Sequence, residues 1–201
     1  MTTTRVYLER GEQSIFAVAL DWPGWCRRAR TGDLAVAELQ RYESRYALVV
    51  GATFTPGPIE VVATVAGNRT TDFGAPSVIT SWDREPWTAH ALPRHVGLLD
   101  DCWRSFDETT NAAPSALRRG PRGGGRSRDA IGAHVRDAER TYGAKMGVRI
   151  APRTPWPPQR SALRESLVSG ADVGAWPARY AIRRLAWHVT DHLWEMQDRS
   201  S

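Results

Sequence analysis

The pattern of apolar and polar residues divides the chain near residue 80 into a strand-rich part and a helical part. In the first part, short apolar or β-branched runs are separated by turn residues, and one longer stretch repeats its apolar residues with helical spacing. These features predict strands at 5–9, 15–20 and 25–29, a helix at 31–49 and a strand at 59–65. Residues 1–66 are therefore predicted to form a small β-β-β-α-β module.

After an irregular connector at 67–84, apolar residues recur every three or four positions, which indicates amphipathic helices. Four helices are predicted, at about 93–110, 127–146, 161–169 and 177–198. The segment 153–158 contains three prolines and is expected to be a stiff, non-helical link. Because no strand interrupts these helices, residues 85–201 are predicted to form an up-down four-helix bundle, and the fold class is α+β.

The amino-acid composition is typical of one class of protein. Hydrophobic residues make up 41% of the chain and charged residues 24%, as in soluble globular proteins. No apolar run approaches the roughly 20 residues that a membrane span requires, and the first residues lack a signal-peptide pattern, so we expect a cytoplasmic protein without a membrane partner. The only cysteines, Cys26 and Cys102, are predicted to be core thiols.

The net charge of +5 comes almost entirely from arginine, and five arginines fall within the Gly-rich stretch 117–128. Without this stretch the chain would be nearly neutral, so nucleic acid is not expected as a partner. The stretch leads into a predicted helix N-terminus, where backbone N–H groups and arginines attract anions. Arg122 and Arg126 are therefore candidates for binding an anionic part of a small-molecule substrate, the alternative being an ordinary solvated loop.

The histidines give the most specific chemical signal. His188 and His192 are four residues apart on the last predicted helix, so both rings can reach one ion. On a helical wheel His192 falls just inside the edge of the apolar arc and His188 just outside it. His134, on the second helix, also faces inward, and three neutral imidazoles form a ligand set of catalytic zinc-type sites. The alternative is ordinary cleft histidines, with His95 as a reserve ligand.

Two segments, Arg184–Glu195 and Ala133–Tyr142, resemble the last and second helices of DinB-like (YfiT-like) proteins. The resemblance covers residues 85–199. It implies a four-helix bundle that holds a divalent metal, zinc or nickel, through His134, His188 and His192. Some members of that family are transferases or isomerases that use a low-molecular-weight thiol. The resemblance therefore implies a metal-dependent thiol S-transferase or isomerase acting on a small molecule, without assigning catalytic residues.

The segments Leu20–Trp25 and Thr31–Glu38 are similar to the HicB-like pattern of a strand, a Pro-Gly turn and a helix. That resemblance implies a module related to part of a double-stranded-RNA-binding domain. It provides the alternative function, a non-catalytic regulator whose first module binds a protein or RNA partner. A plain α+β module that packs on the bundle or forms a homodimer is the further alternative.

Overall fold

The computed structural model describes residues 3–119, 125–172 and 174–200. It divides into two compact units, residues 1–86 and 87–201. Strands occur in the first unit, and the described part of the second contains only helices. The predicted α+β class is thus confirmed.

The first unit is built on a four-stranded sheet with the order β3-β2-β1-β4. Its strands are β1 (Thr4–Arg10), β2 (Ile15–Ala19), β3 (Cys26–Ala29) and β4 (Ile59–Ala66). The β1, β2 and β3 strands are antiparallel neighbours, whereas β4 pairs with β1 in parallel. A parallel pair needs a crossover connection, and here the crossover contains two helices. The predicted order of elements is confirmed.

The crossover helices are α1 (Gly32–Arg41) and α2 (Glu43–Val50), so the single predicted helix is divided at Tyr42. The α1 helix contacts β2 and β3 and buries Leu39 completely. The Trp25 indole donates a hydrogen bond to the Leu39 carbonyl at 2.9 Å, and the Tyr46 hydroxyl donates to the Pro23 carbonyl at 2.7 Å. The polar atoms of these two buried aromatic side chains therefore have partners, as buried polar groups require.

The segment predicted as an irregular connector belongs to the first unit and contains the short helix α3 (Arg69–Phe73). Two carboxylates attach it to the sheet. Glu9 is completely buried and accepts hydrogen bonds from the Thr71 hydroxyl at 2.6 Å and the Ser77 backbone N–H at 2.8 Å. Asp72 accepts from the Gln13 backbone N–H at 2.7 Å, in the β1–β2 turn. These long-range bonds explain why the connector is folded.

The second unit contains the helices α4 (Ala91–Ala112), α5 (Arg128–Lys145), α6 (Trp156–Val168) and α7 (Ala178–Ser200). The predicted cap of α5 is confirmed, because the Ser127 side chain accepts from the Ala130 N–H. The prediction that 153–158 is non-helical is wrong, since α6 begins at Trp156. Pro157 and Pro158 lie in its first turn, where the missing N–H groups would have no intrahelical partner.

A buried carboxylate connects α4, α5 and α6. Glu139 on α5 is fully buried and accepts hydrogen bonds from the indoles of Trp103 at 2.9 Å and Trp156 at 3.0 Å. The guanidinium of Arg160 on α6 also donates to it, at 3.1 Å, and to Asp107 at 2.8 Å. Burial raises the pKa of Glu139, while Arg160, the Trp156 indole and the Gln159 amide favour its charged form. We call these donors and their acceptor the Glu139 cluster.

Cys26 and Cys102 are buried free thiols, as predicted, and burial raises the pKa of Cys102. None of the helices in the described ranges has both the length and the apolarity needed to cross a membrane. The α7 helix is buried on most of its faces, although its sequence includes several arginines and histidines. Its burial places those polar side chains in the interior, where they need partners.

Candidate metal centre

Two rows of side chains, one on α5 and one on α7, form the candidate site. The members of each row are spaced four residues apart, which aligns them on one helix face. The rows are His134, Ala138 and Tyr142 on α5, and Arg184, His188 and His192 on α7. His134 lies near His192 and His188, with ring centroids 5.0 and 5.1 Å apart. The ring of Tyr142 lies 5.6 Å from that of His188, so the two rows run antiparallel.

The three histidines converge, as the sequence predicted. Each offers one nitrogen, and these atoms lie within 4.8 Å of one another. The Nε2 atoms of His134 and His188 are 3.3 Å apart. A tetrahedral ion with metal–nitrogen bonds of 2.0–2.1 Å separates two ligand nitrogens by about 3.3 Å. The same spacing accommodates an N–H···N hydrogen bond in the metal-free chain, but that bond would not require a third imidazole. The group could hold a metal ion.

A carboxylate orients the third imidazole. His192 Nδ1 lies 2.7 Å from Glu195 Oε2, and Arg199 donates to the other Glu195 oxygen at 2.8 Å. Arg199 also donates to the Arg118 carbonyl at 2.7 Å, which fixes its own position. The hydrogen bond with His192 lowers the pKa of Glu195. Because the ionised carboxylate accepts a hydrogen bond from Nδ1–H, the Nε2 lone pair of His192 faces the other two histidines, an arrangement common around metal-binding histidines.

Burial and neighbouring charges keep two of the rings neutral. Burial is the largest cause that lowers the pKa of His134, and it lowers the pKa of His188 well below its usual value. The positive charge of Arg126 acts on both rings in the same direction, and that of Arg184 acts on His188. Neutral imidazoles are the form that binds metals. The site thus favours the protonation state that coordination requires.

The relative burial of the α7 histidines reverses the helical-wheel prediction. His188 is buried, at 6% exposed, whereas His192 is only half-buried. The wheel assumes that one face of α7 is buried, but α7 is buried on most faces, and His188 also packs against Tyr142 and Trp187. His188 is therefore the more enclosed of the two.

The other predicted residues occupy different places. Arg126 is exposed and lies just before α5, whereas Arg122 lies outside the described residues. The reserve ligand His95 is not part of the histidine group. It is buried on α4, with Nδ1 2.8 Å from the Ala91 carbonyl, and its ring contacts Trp87.

Sequence reasoning missed two residues at the site. Tyr142 and Arg184 mark ends of the two segments that resemble DinB-like helices, but the sequence predicted no role for either side chain. Tyr142 lies eight residues after His134, and Arg184 lies four residues before His188, so both continue the four-residue spacing of the histidine rows. That spacing was the available signal, because residues four apart on a helix are neighbours.

Comparisons of the chain with protein-family models, with curated proteins and with solved structures found no match. The function of the chain therefore has to be inferred from the site itself. Its main elements are the converging nitrogens, the oriented His192 ring and the positively charged surroundings.

Proposed function

We propose that α4–α7 form a DinB-like four-helix bundle that binds a divalent metal through His134, His188 and His192. The observation that carries this proposal is the 3.3 Å separation of the His134 and His188 Nε2 atoms, with a third imidazole at the same point. One ligand from the second helix of the unit and a four-residue pair from its last helix match the order in the resembling family. Zinc and nickel are the metals that we propose, since both accept imidazole ligands.

The protein's own residues would set the properties of this centre. Three neutral imidazoles contribute no charge, so an ion that they hold keeps its full positive charge. When bound, such an ion supplies Lewis-acid activation and lowers the pKa of a coordinated water or thiol. Glu195 keeps the His192 ring in the tautomer that coordination needs. On this basis we propose a metal-dependent transferase or isomerase that uses a low-molecular-weight thiol and acts on a small molecule.

Metal analysis of the purified protein tests the proposal. The chain is loaded with zinc or nickel, dialysed, and compared with the triple variant in which His134, His188 and His192 are replaced by alanine. We expect about one ion per wild-type chain and none in the triple variant. His90→Ala, which removes an exposed histidine before α4, is the control for adventitious binding and should retain the ion. Equal metal content in wild type and the triple variant would refute the proposal.

The use of a thiol is tested separately with cobalt in place of the native metal. A thiolate that binds cobalt produces a sulfur-to-metal charge-transfer absorption, whereas an unbound thiol does not. Titration of cobalt-loaded protein with 2-mercaptoethanol should produce this absorption if an open coordination position exists. A spectrum unchanged by thiol would remove the thiol-dependent part of the proposal and leave metal binding intact.

The charge distribution favours this proposal over an RNA-binding regulator. Residues 1–86, which include the HicB-like segment, contain nine arginines, no lysine and ten acidic residues, a net charge of −1. Residues 87–201 carry +6. Because phosphate backbones bind proteins mainly through lysine and arginine, the first unit is poorly suited to RNA. Metal-free protein that co-purifies with nucleic acid would instead support the regulator.

A further inference from the structure

A cleft of about 500 Å³ opens at one end of the sheet in the first unit. It lies where the parallel strands β1 and β4 end, between the β1–β2 turn and the segment that follows β4. Four charged side chains line it: Arg10, Glu12, Arg69 and Asp72. Sites for small-molecule ligands have volumes of about 300–1,000 Å³, so this cleft has the size of a small-molecule site.

Hydrogen bonds to the backbone hold the walls of the cleft together. The Gly67 N–H donates to the Arg10 carbonyl at 2.7 Å, which joins the ends of β4 and β1. The Asp72 carboxylate accepts from the backbone N–H groups of Gln13 at 2.7 Å and Glu12 at 3.1 Å. The bond from Gln13 is the largest cause that lowers the pKa of Asp72. The cleft is therefore a defined part of the fold, and Asp72 is a charged group that stabilises its walls.

The other charged groups of the cleft are accessible to a ligand. Arg10, Glu12 and Arg69 are exposed, and within the described part of the chain their side chains form no hydrogen bond or ion pair. Asn68 also lines the cleft, and its Oδ1 atom accepts from the Thr70 N–H at 2.8 Å, which leaves the amide N–H groups as donors. A ligand can therefore pair with two guanidiniums, one amide and one carboxylate without displacing an internal contact.

Positive and negative charges are balanced in the cleft. Its two guanidiniums and two carboxylates give a formal charge of zero. A simple anion would be attracted by the arginines but repelled by the carboxylates. A ligand that carries both a carboxylate and an ammonium group can form charge-assisted hydrogen bonds with both kinds of side chain. The charge pattern thus favours a zwitterion over an anion or a cation.

We propose that this cleft binds a small zwitterion of the α-amino-acid class. The carboxylate of the ligand pairs with Arg10 and Arg69, and its ammonium group pairs with Glu12. The cleft belongs to the first unit, whereas the proposed metal centre belongs to the second. The inference therefore does not depend on the proposed function.

Three related probes test whether both charges of the ligand are recognised. L-Alanine carries the carboxylate and the ammonium group, L-alaninamide lacks the carboxylate, and N-acetyl-L-alanine lacks the ammonium group. Each is titrated into the isotope-labelled full chain, and its dissociation constant is read from the amide resonances of Gly11 and Gly67, which line the cleft. We expect L-alanine to bind about fivefold more tightly than either analogue, as for exposed charge pairs. Equal affinities for the three probes, or resonances that do not shift, would overturn the proposal.

Variants assign each charge of the ligand to its partner. The double variant Arg10→Gln/Arg69→Gln should abolish the preference for L-alanine over L-alaninamide. Glu12→Gln should abolish the preference for L-alanine over N-acetyl-L-alanine. Arg30→Gln and Glu43→Gln replace exposed residues outside the cleft and are the matched controls, which should retain both preferences. A preference over L-alaninamide that survives in the double variant would overturn the proposal.

Two further outcomes would replace the zwitterion by another class of ligand. If N-acetyl-L-alanine binds as tightly as L-alanine, the cleft binds anions such as the C-terminus of a peptide, and the proposal is wrong. If L-alaninamide does so, the cleft binds cations, and the proposal is equally wrong. The triple alanine variant of His134, His188 and His192 should bind all three probes like wild type. Failure of the metal centre and failure of the zwitterion site are therefore separate results.

Discussion

Replacing Glu139 by alanine should destabilise the helical unit more than any other single loss of a carboxylate. The side chain is fully buried, and the groups that donate to it come from α4 and α6. In Glu139→Ala the indole N–H groups of Trp103 and Trp156 lose their acceptor. Arg160, whose side chain is 9% exposed, keeps only the half-exposed Asp107 as an ionic partner.

The size of the effect follows from these contacts. Breaking a buried ion pair by removing one partner costs about 3–5 kcal/mol, and a buried donor left unsatisfied costs about 1–3 kcal/mol. Because Arg160 retains Asp107 and Trp156 is only partly buried, we expect a total of about 5 kcal/mol. For a chain of this length, each kcal/mol lowers the melting temperature by roughly 2–4 °C. The expected loss is therefore about 10–20 °C.

Urea unfolding, followed by tryptophan fluorescence and by circular dichroism, measures the loss in free energy of unfolding, and a thermal scan measures the drop in melting temperature. Glu108→Ala is the matched control, because Glu108 is a 65% exposed α4 carboxylate bonded to Arg104, and its removal should cost less than about 1 kcal/mol. Glu139→Gln keeps the volume and one acceptor oxygen and should fall between wild type and Glu139→Ala. Equal midpoints for Glu139→Ala and Glu108→Ala would show that the cluster does not stabilise the fold.

Three further predictions concern the site. Glu195→Gln should weaken zinc binding about 10–100-fold, measured by competition with a chromophoric chelator, whereas the control Asp198→Asn should not weaken it. Equal zinc affinities of the two variants would exclude the role of Glu195 in orienting His192. The folded chain lowers the pKa values of His134 and His188, so protons bind these histidines more tightly in the unfolded chain. The free energy of unfolding of the metal-free protein should therefore decrease as the pH falls below about 6.5. A free energy of unfolding that does not change over this pH range would contradict the prediction. Arg126→Ala should leave the melting temperature unchanged but weaken the binding of 3-mercaptopropionate, a thiol that carries a carboxylate, to cobalt-loaded protein at low ionic strength. An affinity that does not depend on salt would refute this prediction.

The parts of the fold that depend on local periodicity could be predicted from the sequence. The last helix was predicted at 177–198 and lies at 178–200, and the β-branched strand at 59–65 lies at 59–66. The start of α6 was missed because the rule against proline in helices applies to the interior and not to the first turn. The start of α6 was therefore misplaced because the position of the prolines within the helix was not considered, although the apolar pattern itself was correct.

Long-range contacts could not be predicted in the same way. Glu9 and Glu139 look like surface carboxylates in the sequence, yet both are completely buried. Each is buried because donors 17 to 69 residues away converge on it, and no local pattern records that convergence. The folded connector after β4 is a consequence of the first of these contacts. Burial of a charge depends on partners that only the tertiary structure supplies.

The candidate site combines both kinds of information. The four-residue spacing of His188 and His192 is local, and it was sufficient to predict a shared ligand position. The contribution of His134 depends on how α5 and α7 meet, and the sequence indicated only that it faces inward.

The two α7 imidazoles are held in different ways. Glu195 accepts a hydrogen bond from His192, but the Nδ1 atom of His188 is buried without a hydrogen-bond partner in the described part of the chain. Packing against Tyr142 and Trp187 is what orients the His188 ring. Tyr142 also lies under the guanidinium of Arg184. The orientation of the His188 imidazole therefore depends on aromatic packing that also involves Arg184, whereas that of the His192 imidazole depends on a hydrogen bond to Glu195.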